Sequence, residues 1–174
     1  MSAQRQERNG PCFATGFRPG IAAIALLASV IALACLPLAG RAATTERVVA
    51  NRYSGVAIEG FDPVAYFVDA RPGIGRDDLE ASEAGVVWRF RNEGNRASFV
   101  AHPEVYAPQF GGYDPADLAR GVTVAGNPRF WLILGERLYL FAREQSRDAV
   151  RASPERFLRE ASQRWPALEQ DLAQ

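Results

Sequence analysis

A chain of 174 residues with 20 arginines, no lysine, 20 acidic residues and one histidine has zero net charge. That balance leaves no basic face for nucleic acid, and the missing lysine excludes Schiff-base chemistry. The length allows one domain and an extension.

Arg5, Arg8 and Arg18 precede an uncharged apolar run, Ile21 to Gly40, followed by Arg41 and Ala42. A basic start, an apolar stretch and small residues before a cut site predict an export signal over residues 1–42, cleaved after Ala42, and hence a periplasmic or secreted protein. The same run approaches the ~20 residues that span a bilayer, so a membrane anchor through residues 21–40 is the alternative. Lipidation at Cys35 is a third option, with Ala32 where leucine is usual. Cys12 and Cys35 are the only cysteines and both lie in the leader. A processed chain is then cysteine-free, without disulfide, thiolate ligand or thiol nucleophile. Its ~130 residues suffice for one core.

Residues 43–52 read as a lead-in and residues 53–174 as the domain. A short strand is predicted at 56–58. In "FDPVAYF", Asp62 caps and Pro63 opens one helical turn that buries part of Ala65, Tyr66 and Phe67. Residues 69–78 read as a polar loop. Val86, Trp88 and Phe90 alternate with Val87, Arg89 and Arg91, which predicts a strand with one apolar face. Asn95 is the candidate cap of a helix through Ala101, and Pro103 stops it or starts another turn. Asp114 caps a further turn, with Pro115 at its first position and Asp117 inside it. "FWLILGERLYLFA" predicts a hairpin of central strands around Gly135-Glu136, with a type II′ turn. Ser153 and Pro154 open a C-terminal helix with an apolar stripe of Phe157, Leu158, Ala161 and Trp165, and Pro166 breaks it. No internal repeat is evident. The order predicts an α+β fold: a small antiparallel sheet with a β-hairpin, covered by short helices and a C-terminal helical segment.

The stretch from His102 to Gly121 is densest in special residues. His102, Asp114, Asp117 and Asp62 supply imidazole and oxygen donors suited to Zn²⁺, Mn²⁺ or Fe²⁺, although their spacing matches no recognised ligand pattern. The alternative makes His102 a helix C-terminus and both aspartates of "DPADLARG" helix-start residues. Tyr106, Phe110 and Tyr113 either line a ligand pocket or pack around the Gly111-Gly112 bend. Acid–base catalysis needs two carboxylates at a defined separation, and neither a phosphate loop nor a nucleophile motif is present. No catalytic residue is assigned.

"GVAIEGFDPVAYF", Gly55 to Phe67, resembles the opening of small exported YHS-domain proteins. "WRF", Trp88 to Phe90, and "NRASFVAHPEVYAPQFGGY", Asn95 to Tyr113, are similar to that family's central block. "WLILGERLYLF", Trp131 to Phe141, resembles its hairpin, and Trp165-Pro166 its C-terminal "W-P". The resemblance runs from about residue 53 to the C-terminus and implies a loose link to metal handling. In that family a cysteine usually follows Gly-Gly-Tyr; here it is Asp114, and no mature methionine replaces it, which removes the donors a soft ion prefers.

The expectation is an exported YHS-like, non-enzymatic binding domain. Its candidate ligand residues are Tyr106, Phe110, Gly111, Gly112 and Tyr113, and its partner is a small ligand, a metal species or a protein. The second reading is a hard-metal protein using His102 with Asp114 or Asp117; the third is an enzyme with carboxylate chemistry. The cofactor is left open, with a metal ion the one the resemblance implies, and membrane contact is expected only through an uncleaved N-terminus.

Overall fold

The computed structural model describes residues 46–173. The predicted export signal or anchor, with both cysteines, lies outside the described residues. In chain order the elements are α1 (Ala65–Val68), β1 (Arg76–Glu83), β2 (Val86–Phe90), α2 (Glu93–Ala101), α3 (Pro103–Tyr106), α4 (Pro115–Leu118), β3 (Asn127–Leu134), β4 (Arg137–Phe141), α5 (Glu144–Ala152) and α6 (Pro154–Asp171). The fold is α+β, but the single sheet expected is two antiparallel hairpins, β1–β2 and β3–β4.

These elements form two successive units of the same build. Each opens on a left-handed turn: φ is 41°, 54° and 79° at Ile58, Glu59 and Gly60, and 55°, 61° and 88° at Phe110, Gly111 and Gly112. Next comes Gly-aromatic-Asp-Pro, Gly60 to Pro63 and Gly112 to Pro115. The aromatic bridges Ile74 in the first unit (Phe61) and Ala125 in the second (Tyr113). The Asp opens α1 or α4. The hairpin follows with one shared irregularity: from the Arg76–Phe90 pair to the Glu80–Arg89 pair, β1 advances four residues while β2 advances one. The same step separates Asn127–Phe141 from Trp131–Leu140. Then come α2 and α5, nine residues each, and a junction residue of nearly equal conformation: His102 (φ −142°, ψ 59°) and Ser153 (φ −147°, ψ 62°). A proline then starts α3 and α6. Asp62 thus matches Asp114, 52 positions on, and Phe90 matches Phe141, 51 positions on. The sequence expectation of no internal repeat is corrected: backbone geometry repeats where most side chains have diverged.

Several local expectations hold. Val86, Trp88 and Phe90 face the core while Val87 and Arg89 are half-buried, because one pleat face packs inward. Trp88 and Phe90 meet Phe99 of α2 at ring-centre distances of 5.0 and 5.2 Å. Others are corrected. Val56 and Ala57 make isolated bridges rather than a strand, because Ile58 already enters the left-handed turn. The predicted loop ends at Gly75, and β1 begins at Arg76; its polar, exposed pattern carries no apolar alternation to reveal it. Asn92, not Asn95, caps α2, accepting from the Asn95 N–H at 2.8 Å. Both turn residues of the second hairpin have positive φ, 56° at Gly135 and 60° at Glu136, which is type I′ rather than II′.

Nor are β3 and β4 central strands; they pair only with each other among the described residues. Both strands pack on both faces, β3 half-buried with Trp131 and Ile133 on one side and Phe130, Leu132 and Leu134 on the other, and β4 almost fully buried. Leu138 and Leu140 join the core of the first unit, and Tyr139 and Phe141 join that of the second. Finally, α6 runs through Pro166. Losing one helical hydrogen bond there is outweighed by packing on both sides of the proline, with Trp165, Leu168 and Leu172 against Tyr113 and Leu118.

The lead-in belongs to the fold. The Val49 N–H donates to the Gly111 carbonyl at 2.8 Å, and the Tyr113 hydroxyl donates to the Glu46 carbonyl at 2.6 Å. A Cβ at Gly111 would overlap the Arg47 carbonyl, so the segment passes too close for any other residue.

Candidate functional site

The predicted ligand residues are packing residues. Phe110 lies 5.8 Å from Trp165 and 6.1 Å from Tyr139, ring centre to ring centre, and Tyr113 lies 6.0 Å from Trp165. Tyr106 makes an edge contact with Phe67 at 5.3 Å. Gly112 is buried, and the lead-in covers Gly111. Burial raises the pKa of the Tyr113 phenol, with Glu46 adding to the effect, so it stays protonated. These tyrosines and glycines follow the packing alternative and form the joint on which the second unit starts.

The metal donors are not brought together either. His102 is exposed, with Nδ1 3.4 Å from the Glu104 carboxylate, and its backbone N–H closes α2 on Ser98 and Phe99. Its counterpart is Ser153, so the position is a backbone junction in both units. Among the described residues no three His, Cys, Asp or Glu side chains gather into a possible metal site.

Asp62 and Asp114 are matching staples. Both are fully buried. Asp62 Oδ1 accepts from the N–H groups of Val64 (2.9 Å) and Ala65 (3.3 Å). Its Oδ2 accepts from the Arg91 N–H (2.8 Å) and from Asn95 Nδ2 (2.6 Å). One carboxylate thereby ties the start of α1 to the end of β2 and the first turn of α2. Asp114 does the same with fewer partners: Oδ1 takes the Ala116 N–H (2.8 Å) and Oδ2 the Ala142 N–H (2.9 Å). A buried carboxylate needs such donors, and backbone N–H groups supply them. The aspartate that stands where the resembling family has cysteine is thus the second copy of the Asp-Pro device.

The two units differ where α5 begins, and sequence reasoning passed over those residues. The cap position occupied by Asn92 in the first unit is Arg143 in the second, and no side chain caps α5. Arg143 instead makes a two-bond pair with Asp117 (3.0 and 2.9 Å), a carboxylate 1 % exposed that Arg120 also touches. The position of Asn95 is held by Ser146, 4 % exposed, whose hydroxyl has no hydrogen-bond partner among the described residues. Ala116, Ala119, Arg120, Arg143, Gln145 and Ser146 line a groove of about 380 Å³ together with Arg156, Phe157 and Glu160 of α6. Arg156 lies over the Phe157 ring at 4.2 Å. The signal in the sequence was the replacement of the Asn-x-x-Asn of 92–95 by Arg-x-x-Ser at 143–146, visible once the two units are aligned.

No helix among the described residues is long and apolar enough to cross a membrane. No protein-family model, curated protein or solved structure matches the chain.

Proposed function

We propose that this chain is an exported, YHS-like domain that binds a ligand without transforming it, and that the ligand sits in the groove between the start of α5 and α6. The observation that carries the reading is the division of labour among polar side chains. The buried carboxylates Asp62 and Asp114 are engaged by backbone donors from several elements, which suits staples rather than general acid–base groups. Of the six polar side chains lining the groove, five can donate: Arg120, Arg143, Gln145, Ser146 and Arg156.

The test is native mass spectrometry of the chain recovered from its own cells. The expected spectrum has a mature N-terminus at Ala43 and a non-covalent small-molecule adduct that Arg156→Gln depletes. A chain that begins at Met1 sinks the cleaved-export reading. A chain that carries no adduct, or one indifferent to Arg156→Gln, sinks the groove.

A further inference from the structure

We propose that the groove over the first turn of α5 binds a tetrahedral oxyanion, a phosphate or the phosphate group of a small ligand; this rests on the binding reading above. Three features converge there.

The first is the helix end. Asn92 closes the start of α2 by accepting from the Asn95 N–H. Its counterpart Arg143 carries only donors and cannot cap. The nine-residue α5 therefore starts with N–H groups that no side chain satisfies, at the positive end of the helix dipole. The second is Ser146. Asn95 spends its amide on Asp62, whereas the shorter Ser146, a residue that lines the groove, leaves a buried hydroxyl unpartnered. Buried polar atoms are rarely left unpaired, and an orphan marks a missing acceptor. The third is charge. Arg120, Arg143 and Arg156 line the groove with one carboxylate, Glu160; Asp117 pairs with Arg120 and Arg143, and Glu144 of the first turn of α5 pairs with Arg147, so one positive charge remains in excess.

The donors also select a geometry. Arg120 follows α4, Arg143 and Ser146 belong to the start of α5, and Arg156 lies in α6, so the donors come from three elements. A planar carboxylate presents its oxygens in one plane, while a phosphate meets donors from three directions and suits the guanidinium fork. The groove volume of about 380 Å³ accommodates a phosphate together with the group that carries it.

The experiment is thermal unfolding of the full-length chain in non-ionic detergent, titrated with inorganic phosphate at constant ionic strength, with chloride and acetate in parallel. A ligand that binds only the folded state raises Tm in a saturable way. Phosphate is expected to do so, and chloride and acetate are not. Ser146→Ala removes an orphan hydroxyl, so Tm without phosphate holds or rises, while phosphate affinity falls about tenfold, the weight of a hydrogen bond to a charged group. Arg156→Gln likewise weakens phosphate binding with Tm in its absence unchanged. No phosphate response, an equal response to acetate, or a response untouched by both variants overturns the proposal. A neutral or cationic adduct in native mass spectra with no phosphate response refutes the oxyanion and leaves the binding reading standing.

Discussion

Replacing Asp62 and Asp114 each by asparagine tests the staple logic quantitatively. Asparagine is nearly isosteric but swaps one acceptor oxygen for a donor NH₂. In Asp62→Asn, an amide with its oxygen toward Val64 and Ala65 points NH₂ at two donors, the Arg91 N–H and Asn95 Nδ2. Flipping the amide orphans Val64 and Ala65 instead. Each buried donor left unsatisfied costs about 1–3 kcal/mol, so the substitution costs about 2–6 kcal/mol. In Asp114→Asn the NH₂ meets one donor, Ala142 or Ala116, and the cost is about 1–3 kcal/mol. Against a total stability of about 5–15 kcal/mol, the first variant approaches unfolding and the second does not. Urea unfolding followed by circular dichroism measures both, with the slope as a check that compactness is unchanged. Asn95→Ala added to Asp62→Asn removes one of the orphaned donors, so the double variant should lose less than the sum of the two singles. Equal costs for the two aspartates, or costs below about 0.5 kcal/mol for both, would refute the claim that hydrogen-bond number sets their weight.

Two other expectations follow from the same geometry. Ser146→Asn copies the first unit into the second: its amide should reach Asp114 as Asn95 reaches Asp62, raising the unfolding free energy by about 1–2 kcal/mol, and the urea midpoint with it, while abolishing the phosphate response, and a lowered midpoint would show that the site cannot take the longer side chain. Burial raises the phenol pKa of Tyr66, Tyr113 and Tyr139, with Asp62 adding to the effect at Tyr66. Folded values above the unfolded value of about 10 mean that this stability is complete below pH ~10 and declines as pH climbs toward the folded values. The chain has no lysine, so no ammonium side chain shares that window. Chemical denaturation from pH ~9 to ~12 should show the decline, and a flat profile would contradict the tyrosine burial.

Local grammar was legible in the residues. The Asp-Pro starts at Asp62 and Asp114, the alternation of Val86, Trp88 and Phe90, the hairpin at Gly135-Glu136 and the Pro154 helix start need only nearest neighbours, because propensity, capping and pleat act over a few residues. The repeat was present too, though dispersed. Gly-Phe-Asp-Pro at 60–63 answers Gly-Tyr-Asp-Pro at 112–115, and Phe90, Glu93, Arg96, Ala101, Pro103 and Glu104 recur 51 positions later. Those matches are too sparse to stand out without the shared hairpin irregularity and the paired left-handed turns.

The roles of the special residues were decided only in three dimensions. By sequence alone, His102, Asp114 and Asp117 read either as a donor set or as helix-end residues, and Tyr106 to Tyr113 either as a pocket or as packing around the Gly-Gly bend. Tertiary structure exposes His102 at a helix junction, spends Asp114 on two backbone amides and pairs Asp117 with Arg143, 26 positions away. Hydrogen bonds between distant segments carry no signature in local composition, and burial is a property of what covers a residue. For the same reason the groove at α5 was invisible: its defining feature is an unpartnered serine, and whether a hydroxyl lacks a partner depends on every chain segment that passes near it.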